Sequence, residues 1–312
     1  MKSASNALSK QRRRASLLVA CLVLIWGCNW PVNKVVLSHI SPLWFTCLRV
    51  AMGSISLFLV QAFRTEGVKL PARADLPVVL SIGLVQVAAV MALVQLGLAN
   101  VPAGRSAILC YTTPVWVVPG AILILGERLR LAKSIALLLG LAGVAVMFNP
   151  AAFDWSDHTA VVGNGYLLAA AALWAGSIIH VRAHRWQGTP LILAPWQMLI
   201  GLIPLFALAW SVEGPPPHVG FSLGTLVLAI YSGPLITAFP FWALVTVSRT
   251  LPAVTTSLTL LLVPVIGLLS SVIFLTEQIN ATLIVGLLLI VSAITAVSVA
   301  DVKETGPQLF DR

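Results

Sequence analysis

Polar and charged side chains occur at a few positions inside otherwise apolar stretches of this sequence. Residues 26–34 read WGCNWPVNK, and Arg49 lies within the next apolar run. A lysine or arginine in such surroundings attracts a carboxylate, and an asparagine amide such as that of Asn29 donates and accepts hydrogen bonds. These residue types therefore predict the binding of a small carboxylate-bearing molecule.

The sequence lacks the known motifs for covalent or metal-assisted catalysis. The sequence contains no H-E-x-x-H zinc motif, no G-x-S-x-G nucleophile elbow and no nucleotide-binding P-loop. Its four cysteines fall within apolar runs and have no metal-ligand spacing. We therefore expect a protein that is not an enzyme, binds no metal or cofactor, and does not hydrolyse ATP.

Composition places these residues in a membrane. Of the 312 residues, 59% are hydrophobic and only 9% are charged, against roughly a quarter charged in a soluble domain. About 20 apolar residues can cross a bilayer, and the sequence offers such runs at 15–37, 42–63, 76–98, 104–125, 131–148, 159–180, 191–212, 223–245, 253–276 and 281–299. The sequence predicts an all-α integral membrane protein with ten transmembrane helices.

The distribution of basic residues predicts the topology. All but three of the 19 Lys and Arg residues fall at the N-terminus, in alternate loops or in the C-terminal tail, and the exceptions are Lys34, Arg49 and Arg105. Because basic loops stay on the cytoplasmic side, both termini are predicted to be cytoplasmic. The net charge of +9 then reflects topology, and no nucleic-acid partner is expected.

The two halves of the sequence resemble each other. The matching pairs are Pro114 and Pro264 at a spacing of 150 residues, and Trp26 and Trp174, Lys34 and Arg182, and Arg49 and Gln197 at a spacing of 148. Five spans per half force the second half to enter the membrane from the opposite side. We predict a basic cytoplasmic N-terminus (1–14), a five-helix repeat (15–148), an inverted five-helix repeat (159–299) and a cytoplasmic tail (300–312). Inverted repeats around a midplane site are typical of secondary transporters that work by alternating access.

These motifs resemble those of the EamA family in the drug/metabolite transporter superfamily. WGCNWPVNK is similar to the family's opening Trp-Gly-x-Asn-x-x-x-x-Lys signature. Arg49, the prolines of the fourth and ninth spans, and the Gly-Glu-Arg and Thr-Glu turns after them fit the family's paired pattern over residues 17–299. The second half departs from it, with Trp-Ala for Trp-Gly and Gln197 in place of arginine. The resemblance implies a metabolite transporter, in a family that includes exporters of amino acids and of aromatic amino acids.

One helix face in the first span is too polar for lipid. Asn29 and Asn33 lie four residues apart and share a face with Trp26. We expect this face to line a pathway through the protein. Pro31 in the same span cannot donate a backbone hydrogen bond, which frees the carbonyl of Gly27.

The two cations of the first repeat each admit two interpretations. Lys34 lies near the predicted outer boundary of its span, where it either extends to the interface or attracts a carboxylate to the mouth of a cavity, with Asn29 binding deeper in. Arg49 lies about a third of the way through the second span, where a charge must face the helix bundle. It either has a structural or gating role or binds the substrate carboxylate.

Later spans supply the other candidate contacts. Tyr111 and Thr112 form a polar patch that either contacts the substrate or completes a helix interface, and the deep tryptophans either stack on an apolar or aromatic substrate or pack on neighbouring helices. The predicted substrate contacts are Trp26, Asn29, Lys34, Arg49, Tyr111, Thr112, Trp174, Gln197 and Trp242.

Two prolines and two glutamates mark the fourth and ninth spans. Pro114 and Pro264 are predicted hinges, because a proline inside a helix permits kinking. Glu127 and Glu277 follow these spans, where the dipole of the next helix favours a carboxylate. Proton coupling through either glutamate is the alternative.

The sequence as a whole predicts a secondary transporter of the bacterial inner membrane that exports amino acids, aromatic or hydrophobic ones among them, or related compounds. The alternatives are a permease for drugs or for other metabolites, such as nucleosides or sugar derivatives, and a channel. The expected partners are a small-molecule substrate and the lipid bilayer, with a monomer or a homodimer as the assembly. Coupling to protons, exchange and passive movement all stay open.

Overall fold

The computed structural model describes residues 2–64, 67–127, 131–148, 154–217, 224, 227, 231–275 and 281–305. Its helices, numbered in chain order, are α1 (Lys2–Val36), α2 (Pro42–Arg64), α3 (Arg73–Asn100), α4 (Ala103–Leu125), α5 (Leu131–Phe148), α6 (His158–Ala183), α7 (Pro190–Glu213), α8 (Ser232–Ala238 and Phe239–Thr250), α9 (Ala253–Thr259 and Leu262–Leu275) and α10 (Ala281–Thr305). These ranges contain no β-strand.

Seven helices in the described ranges are long and apolar enough to cross a membrane. They are α1 from Ala15 onward, α2, α3, α4, α6, α7 and α9. The helices α5 and α10 contain shorter apolar segments, Ser134–Val146 and Ile284–Ala293, and most of the first half of the predicted span 223–245 lies outside the described residues. The prediction of an all-helical membrane protein is confirmed at this level. Helix α1 begins before the predicted span does, and α10 runs on to Thr305.

The first half of the chain (α1–α5) contacts the second half (α6–α10) in exchanged pairs. Helix α1 packs on α9, and the equivalent pair, α6 and α4, is also in contact. The contact between α2 and α8 has its equivalent in that between α7 and α3. The contact between α3 and α6 has its equivalent in that between α8 and α1. Helices α2 and α7 pack on each other, as do α5 and α10. Exchanging the two halves therefore reproduces every one of these contacts, as a duplicated sequence predicts.

Local irregularities recur at equivalent positions of the two halves. The third helix of each half contains a π-helical segment, Ile82–Val90 in α3 and Ser232–Ala238 in α8. The fourth helix of each half is interrupted, between Ala103–Cys110 and Thr113–Leu125 in α4 and between Ala253–Thr259 and Leu262–Leu275 in α9. Pro114 and Pro264 lie in the first turn after these interruptions, where a missing N–H costs no helical hydrogen bond. The helices break just before the prolines instead of kinking within a continuous helix.

Contacts between helix ends show that the halves run in opposite directions. Lys34, near the end of α1, donates from Nζ to the carbonyl of Leu98, near the end of α3, at 2.7 Å. His184, just after α6, lies with Nε2 3.0 Å from Oδ1 of Asp75, near the start of α3. Helix α1 thus ends where α3 ends, and α6 ends where α3 begins. We call these the Lys34 end and the Asp75 end of the molecule.

The helix α1 packs closely on α9 beside its proline. The carbonyl of Gly27, which Pro31 leaves without its helical donor, accepts a hydrogen bond from the Ser270 hydroxyl at 3.2 Å. A Cβ atom on Gly27 would lie 2.5 Å from Ile266, so a larger residue cannot occupy this position without displacing α9. This contact fixes the helix that carries Asn29 and Asn33 against the second half.

Candidate functional site

A cavity of about 100 Å³ lies at the contact between the two halves. Side chains of α1, α2, α3, α4, α6 and α8 form its wall. Five predicted substrate contacts line it, namely Trp26, Asn29, Arg49, Tyr111 and Trp174. Asn33 lines the cavity as well, so the polar face of α1 borders this cavity, and its role in a transport pathway stays a prediction.

Arg49 is the one charged side chain among the residues that line the cavity. It is only 7% exposed, its Nε donates to the Thr237 hydroxyl at 2.8 Å, and its guanidinium lies 5.8 Å from the centre of the Phe45 ring. Thr237 in turn donates to the carbonyl of Ser232 at 2.8 Å, which fixes the hydroxyl as an acceptor for Arg49. No carboxylate in the described part of the chain forms an ion pair with this guanidinium. Its Nη groups remain the donors with which it can bind an anion.

Buried amides form a second group in the cavity wall. Asn29 and Asn33 come from α1, and Gln86 and Gln95 come from α3; each is at most 6% exposed. The side-chain oxygens of Asn29, Asn33 and Gln95 accept no hydrogen bond from any described residue. Because a buried acceptor without a donor costs free energy, these oxygens favour a ligand that carries N–H or O–H groups.

Aromatic rings form a third group. The rings of Trp26 and Tyr111 each meet the ring of Trp174 edge to face, at centroid separations of 5.5 and 5.4 Å. Trp26 donates from Nε1 to the carbonyl of Ile236 at 3.3 Å, so its indole is held by α8. The indole N–H of Trp174 has no acceptor among the described residues. These aromatic residues pack on neighbouring helices and also border the cavity, and their contact with a substrate stays a prediction.

Lys34 and Thr112 do not line the cavity. The Lys34 ammonium donates to the carbonyls of Leu98, Ala99 and Val101 at 2.7, 3.3 and 3.1 Å, and so satisfies the free carbonyls at the end of α3. The Thr112 hydroxyl donates to the carbonyl of Leu109 at 2.8 Å within the interruption of α4. In this conformation both side chains have structural partners.

Gln197 and Trp242 also lie outside the cavity wall. Gln197 is completely buried in α7, and its amide has no hydrogen-bond partner in the described part of the chain. Trp242 lines a separate crevice of about 370 Å³ between α2, the start of α7 and α8, together with Phe239. That crevice is almost entirely apolar, with Arg64 as the charged residue in its wall.

A buried carboxylate links the two halves at the Asp75 end. Asp75 is fully buried and lies within hydrogen-bond distance of His184 Nε2 at 3.0 Å, the backbone N–H of Gln187 at 3.2 Å and that of Gly188 at 2.6 Å. We call these four residues the Asp75 latch. It ties the start of α3 in the first half to the link between α6 and α7 in the second half.

Arg249 reinforces the latch from α8. Its guanidinium lies 4.3 Å from the centre of the Trp186 ring, and Nη1 donates to the carbonyl of Gly188 at 3.1 Å. Arg182, the repeat partner of Lys34, donates from Nη1 to the Arg249 carbonyl at 3.1 Å. Since Arg249 is 150 residues after Ala99, the two related cations cap related helix ends, one at each end of the molecule.

Glu127 has a partner that its position in the sequence does not predict. Its carboxylate accepts hydrogen bonds from the backbone N–H groups of Ala253 at 2.7 Å and Val254 at 3.3 Å. It therefore caps the start of α9, and residues 128–130, which precede the next helix, lie outside the described residues. Glu213 makes the corresponding contact at the Lys34 end, with the N–H groups of Leu43 and Trp44 at 2.8 and 3.1 Å. Glu277 lies outside the described residues.

Thr237 is the polar cavity residue that the sequence analysis missed. It is a single threonine within the apolar run LITAF, which is a weak signal because threonines often bond their own helix. Gln95 and Asn33 carry a stronger signal, since amides are rare within membrane spans. What the sequence does not show is that all three line one cavity with Arg49.

Comparison with known proteins finds the same doubled organisation. The model of the EamA-like transporter family matches residues 13–149 and again residues 161–299. The uncharacterized transporter YvbV of Bacillus subtilis is 29% identical over 293 residues, which cover 92% of each chain. A probable amino-acid metabolite efflux pump of Escherichia coli is 25% identical over 301 residues, which cover 90% of this chain and 94% of the pump. A protein crystal structure with 20% sequence identity superposes with a TM-score of 0.70 over 93% of this chain and 98% of that chain, which shows a shared fold.

Proposed function

The chain belongs to the EamA-like transporter family, and on that premise we propose that it is a secondary transporter that exports amino acids or closely related carboxylate-bearing metabolites. In this proposal ten transmembrane helices form two inverted repeats, and both termini face the cytoplasm of a bacterial cell. The Asp75 end is then the cytoplasmic end, in the inner membrane, and the Lys34 end is the outer one.

Arg49 is the observation that carries this proposal. A cation that is 7% exposed, in a cavity between two inverted halves, is expensive to keep in a membrane unless an anion can approach it, by about 2.5–3.5 kcal/mol on insertion scales. Thr237 occupies Nε alone, so the Nη groups can bind a carboxylate through two hydrogen bonds. The aromatic rings in the same cavity wall suit an apolar side chain of the substrate.

The small size of the cavity supports alternating access. At about 100 Å³ it is smaller than the roughly 300–1,000 Å³ of typical ligand pockets, so a substrate enters only when the helices separate. The Asp75 latch holds one end shut in the described conformation. We propose that the interruptions before Pro114 and Pro264 are the hinges, because each divides a helix that packs on the first helix of the other half.

The two helix-end cations support an exchange of conformations between the halves. Lys34 makes three contacts with carbonyls at its end, whereas Arg182 makes one at the other. If the halves exchange their conformations, as inverted repeats do, Arg182 gains contacts when Lys34 loses them. Export and an amino-acid substrate are further supported by the name of the Escherichia coli relative, a probable amino-acid metabolite efflux pump.

Counterflow into proteoliposomes tests this function. Vesicles that contain purified protein are loaded with one unlabelled compound and diluted into its labelled form, with L-phenylalanine, L-tryptophan, L-threonine and L-lysine as the panel. We expect transient accumulation of at least one of them and loss of accumulation in Arg49→Met. Arg64→Met, which changes an exposed arginine of the same helix, is the matched control. Accumulation of nucleosides or drugs alone would move the substrate to another class, and channel-like currents in planar bilayers would exclude a carrier.

A further inference from the structure

Three residues that line the cavity with Arg49 carry a buried amide oxygen without a hydrogen-bond donor among the described residues. Oδ1 of Asn29, Oδ1 of Asn33 and Oε1 of Gln95 are buried and accept no hydrogen bond within the described part of the chain. Their residues are 5%, 5% and 2% exposed, so bulk water does not satisfy them. Asn29 and Asn33 lie one helical turn apart on α1, and Gln95 faces the same cavity from α3. The site therefore offers a cluster of acceptors from two different helices.

We infer that these three oxygens bind a primary ammonium group of the substrate while Arg49 binds its carboxylate. An ammonium carries three N–H donors and no acceptor, which matches three oxygens that lack donors. The guanidinium supplies the complementary donors, since among the described residues Nε alone has a hydrogen-bond partner. This inference rests on the proposed transport function and narrows its substrate class, amino acids or related carboxylates, to compounds that carry both a carboxylate and a primary ammonium group.

The charge of Arg49 explains why amides, and not a carboxylate side chain of the protein, hold the ammonium. A carboxylate beside Arg49 would form an internal ion pair and leave the guanidinium unavailable to the substrate. Amide oxygens accept hydrogen bonds without adding charge, so the substrate carboxylate meets an unpaired cation. The site then binds both the carboxylate and the ammonium group of a zwitterion, although Arg49 is its one charged residue.

An analogue without the ammonium leaves all three oxygens unpaired. Sites that hydrogen-bond a substrate N–H or O–H reject analogues lacking that group strongly, because their own buried polar groups then lose their partners. We expect a desamino acid to compete at least about tenfold less well than the amino acid of the same carbon skeleton. A carboxylate-only site would accept both equally.

Paired inhibitors of counterflow test the inference. The pairs are L-phenylalanine and 3-phenylpropionate, L-leucine and 4-methylpentanoate, and L-threonine and 3-hydroxybutanoate, each also tested as a labelled substrate. The measured quantity is the ratio of half-inhibitory concentrations within the pair whose amino acid is transported. In Asn33→Leu and in Gln95→Leu we expect this ratio to fall toward one. Asn164→Leu is the matched control, since Asn164 is a buried amide of α6 whose side chain has no described partner and does not line the cavity.

The outcomes separate this inference from the proposed function. A ratio near one in the unmodified protein, or transport of a desamino acid in place of its amino acid, would overturn the ammonium site and leave the transporter intact. A large ratio that Asn33→Leu and Gln95→Leu leave unchanged would overturn the assignment to these amides. Accumulation of no member of any pair, and of neither L-tryptophan nor L-lysine, would overturn the proposed substrate class itself. Because the ratio compares two compounds on one protein sample, partial loss of folded protein does not alter it.

Discussion

Replacing Asp75 by asparagine should open the end of the molecule that the latch closes. The carboxylate has three hydrogen-bond donors around it, His184 Nε2 and the N–H groups of Gln187 and Gly188. Asparagine keeps the size of the side chain but has one acceptor oxygen and no charge. With the amide oxygen at the Oδ1 position, the contact with the Gly188 N–H is lost and the contacts with His184 and Gln187 lose their charge. Hydrogen bonds to a charged group are worth about 1.5–3 kcal/mol each. A loss of about 3 kcal/mol shifts the equilibrium between closed and open states roughly a hundredfold toward the open state.

Cys110 provides the reporter for this shift. It lines the central cavity and is only 3% exposed, so a thiol reagent reaches it only when one end opens. In a background with Cys21→Ser, Cys28→Ser and Cys47→Ala, the rate of its modification by a membrane-impermeant thiol reagent is measured in inverted and right-side-out vesicles. Asp75→Asn should raise the rate from the Asp75 end by up to about a hundredfold.

A control variant and a folding assay accompany this prediction. Asp154→Asn changes an exposed loop carboxylate whose partner is Ser156, and should leave the rate unchanged. Thermal unfolding of each variant shows whether the protein remains folded. Unchanged modification of Cys110 from the Asp75 end in a folded Asp75→Asn protein would refute the idea that these contacts hold that end shut.

Three further substitutions separate substrate contacts from structural ones. Arg49→Lys should retain counterflow with a KM raised roughly tenfold, because an ammonium replaces a two-pronged donor, and an unchanged KM would remove Arg49 from the binding site. Lys34→Met should lower the unfolding temperature and leave the order of substrate preference unchanged, since the partners of Lys34 are three carbonyls of residues 98–101. A changed order of preference in competition assays would indicate that Lys34 contacts the substrate. Glu127→Gln should cost about 1 kcal/mol of stability through the weaker cap on α9, seen as a lower unfolding temperature, and a pH-independent transport rate in this variant alone would instead indicate a role in proton coupling.

The sequence was sufficient to predict the helical membrane architecture and the doubled pattern. Both depend on composition and on internal spacing, which are properties of the chain itself. The polar face of α1 was predictable for the same reason, because asparagines four residues apart must share a helix face wherever the helix packs. That face lines the cavity as expected.

The partners of the charged residues were not predictable in the same way. Lys34 meets carbonyls 64 residues away, His184 meets Asp75 across 109 residues, and Glu127 caps a helix that begins 126 residues later. Each contact depends on which helix ends meet in space, and local patterns do not contain that information. A helix end needs a partner for its free backbone groups, but many polar side chains could supply one. The same limit explains why Thr237, 188 residues from Arg49, was missed.

Trp242 illustrates a further limit of reasoning from the sequence. Its depth within the predicted eighth span is consistent with a substrate contact, but the structure places it beside Phe239 in a crevice away from the central cavity. Depth in a span and the direction of a side chain are independent properties. Only the packing of α8 on α2 decides the second.

Protection of Cys110 by substrate is the most direct test of the claim that the central cavity is the transport site. The amino acid that counterflow identifies is added at increasing concentration before the thiol reagent, and the rate of Cys110 modification is followed. We expect modification to slow as the cavity fills, with half-protection near the KM of counterflow, and to be unaffected by the same amino acid in Arg49→Met. Full-rate modification of Cys110 at a saturating concentration of a transported substrate would show that the substrate crosses the membrane by another route.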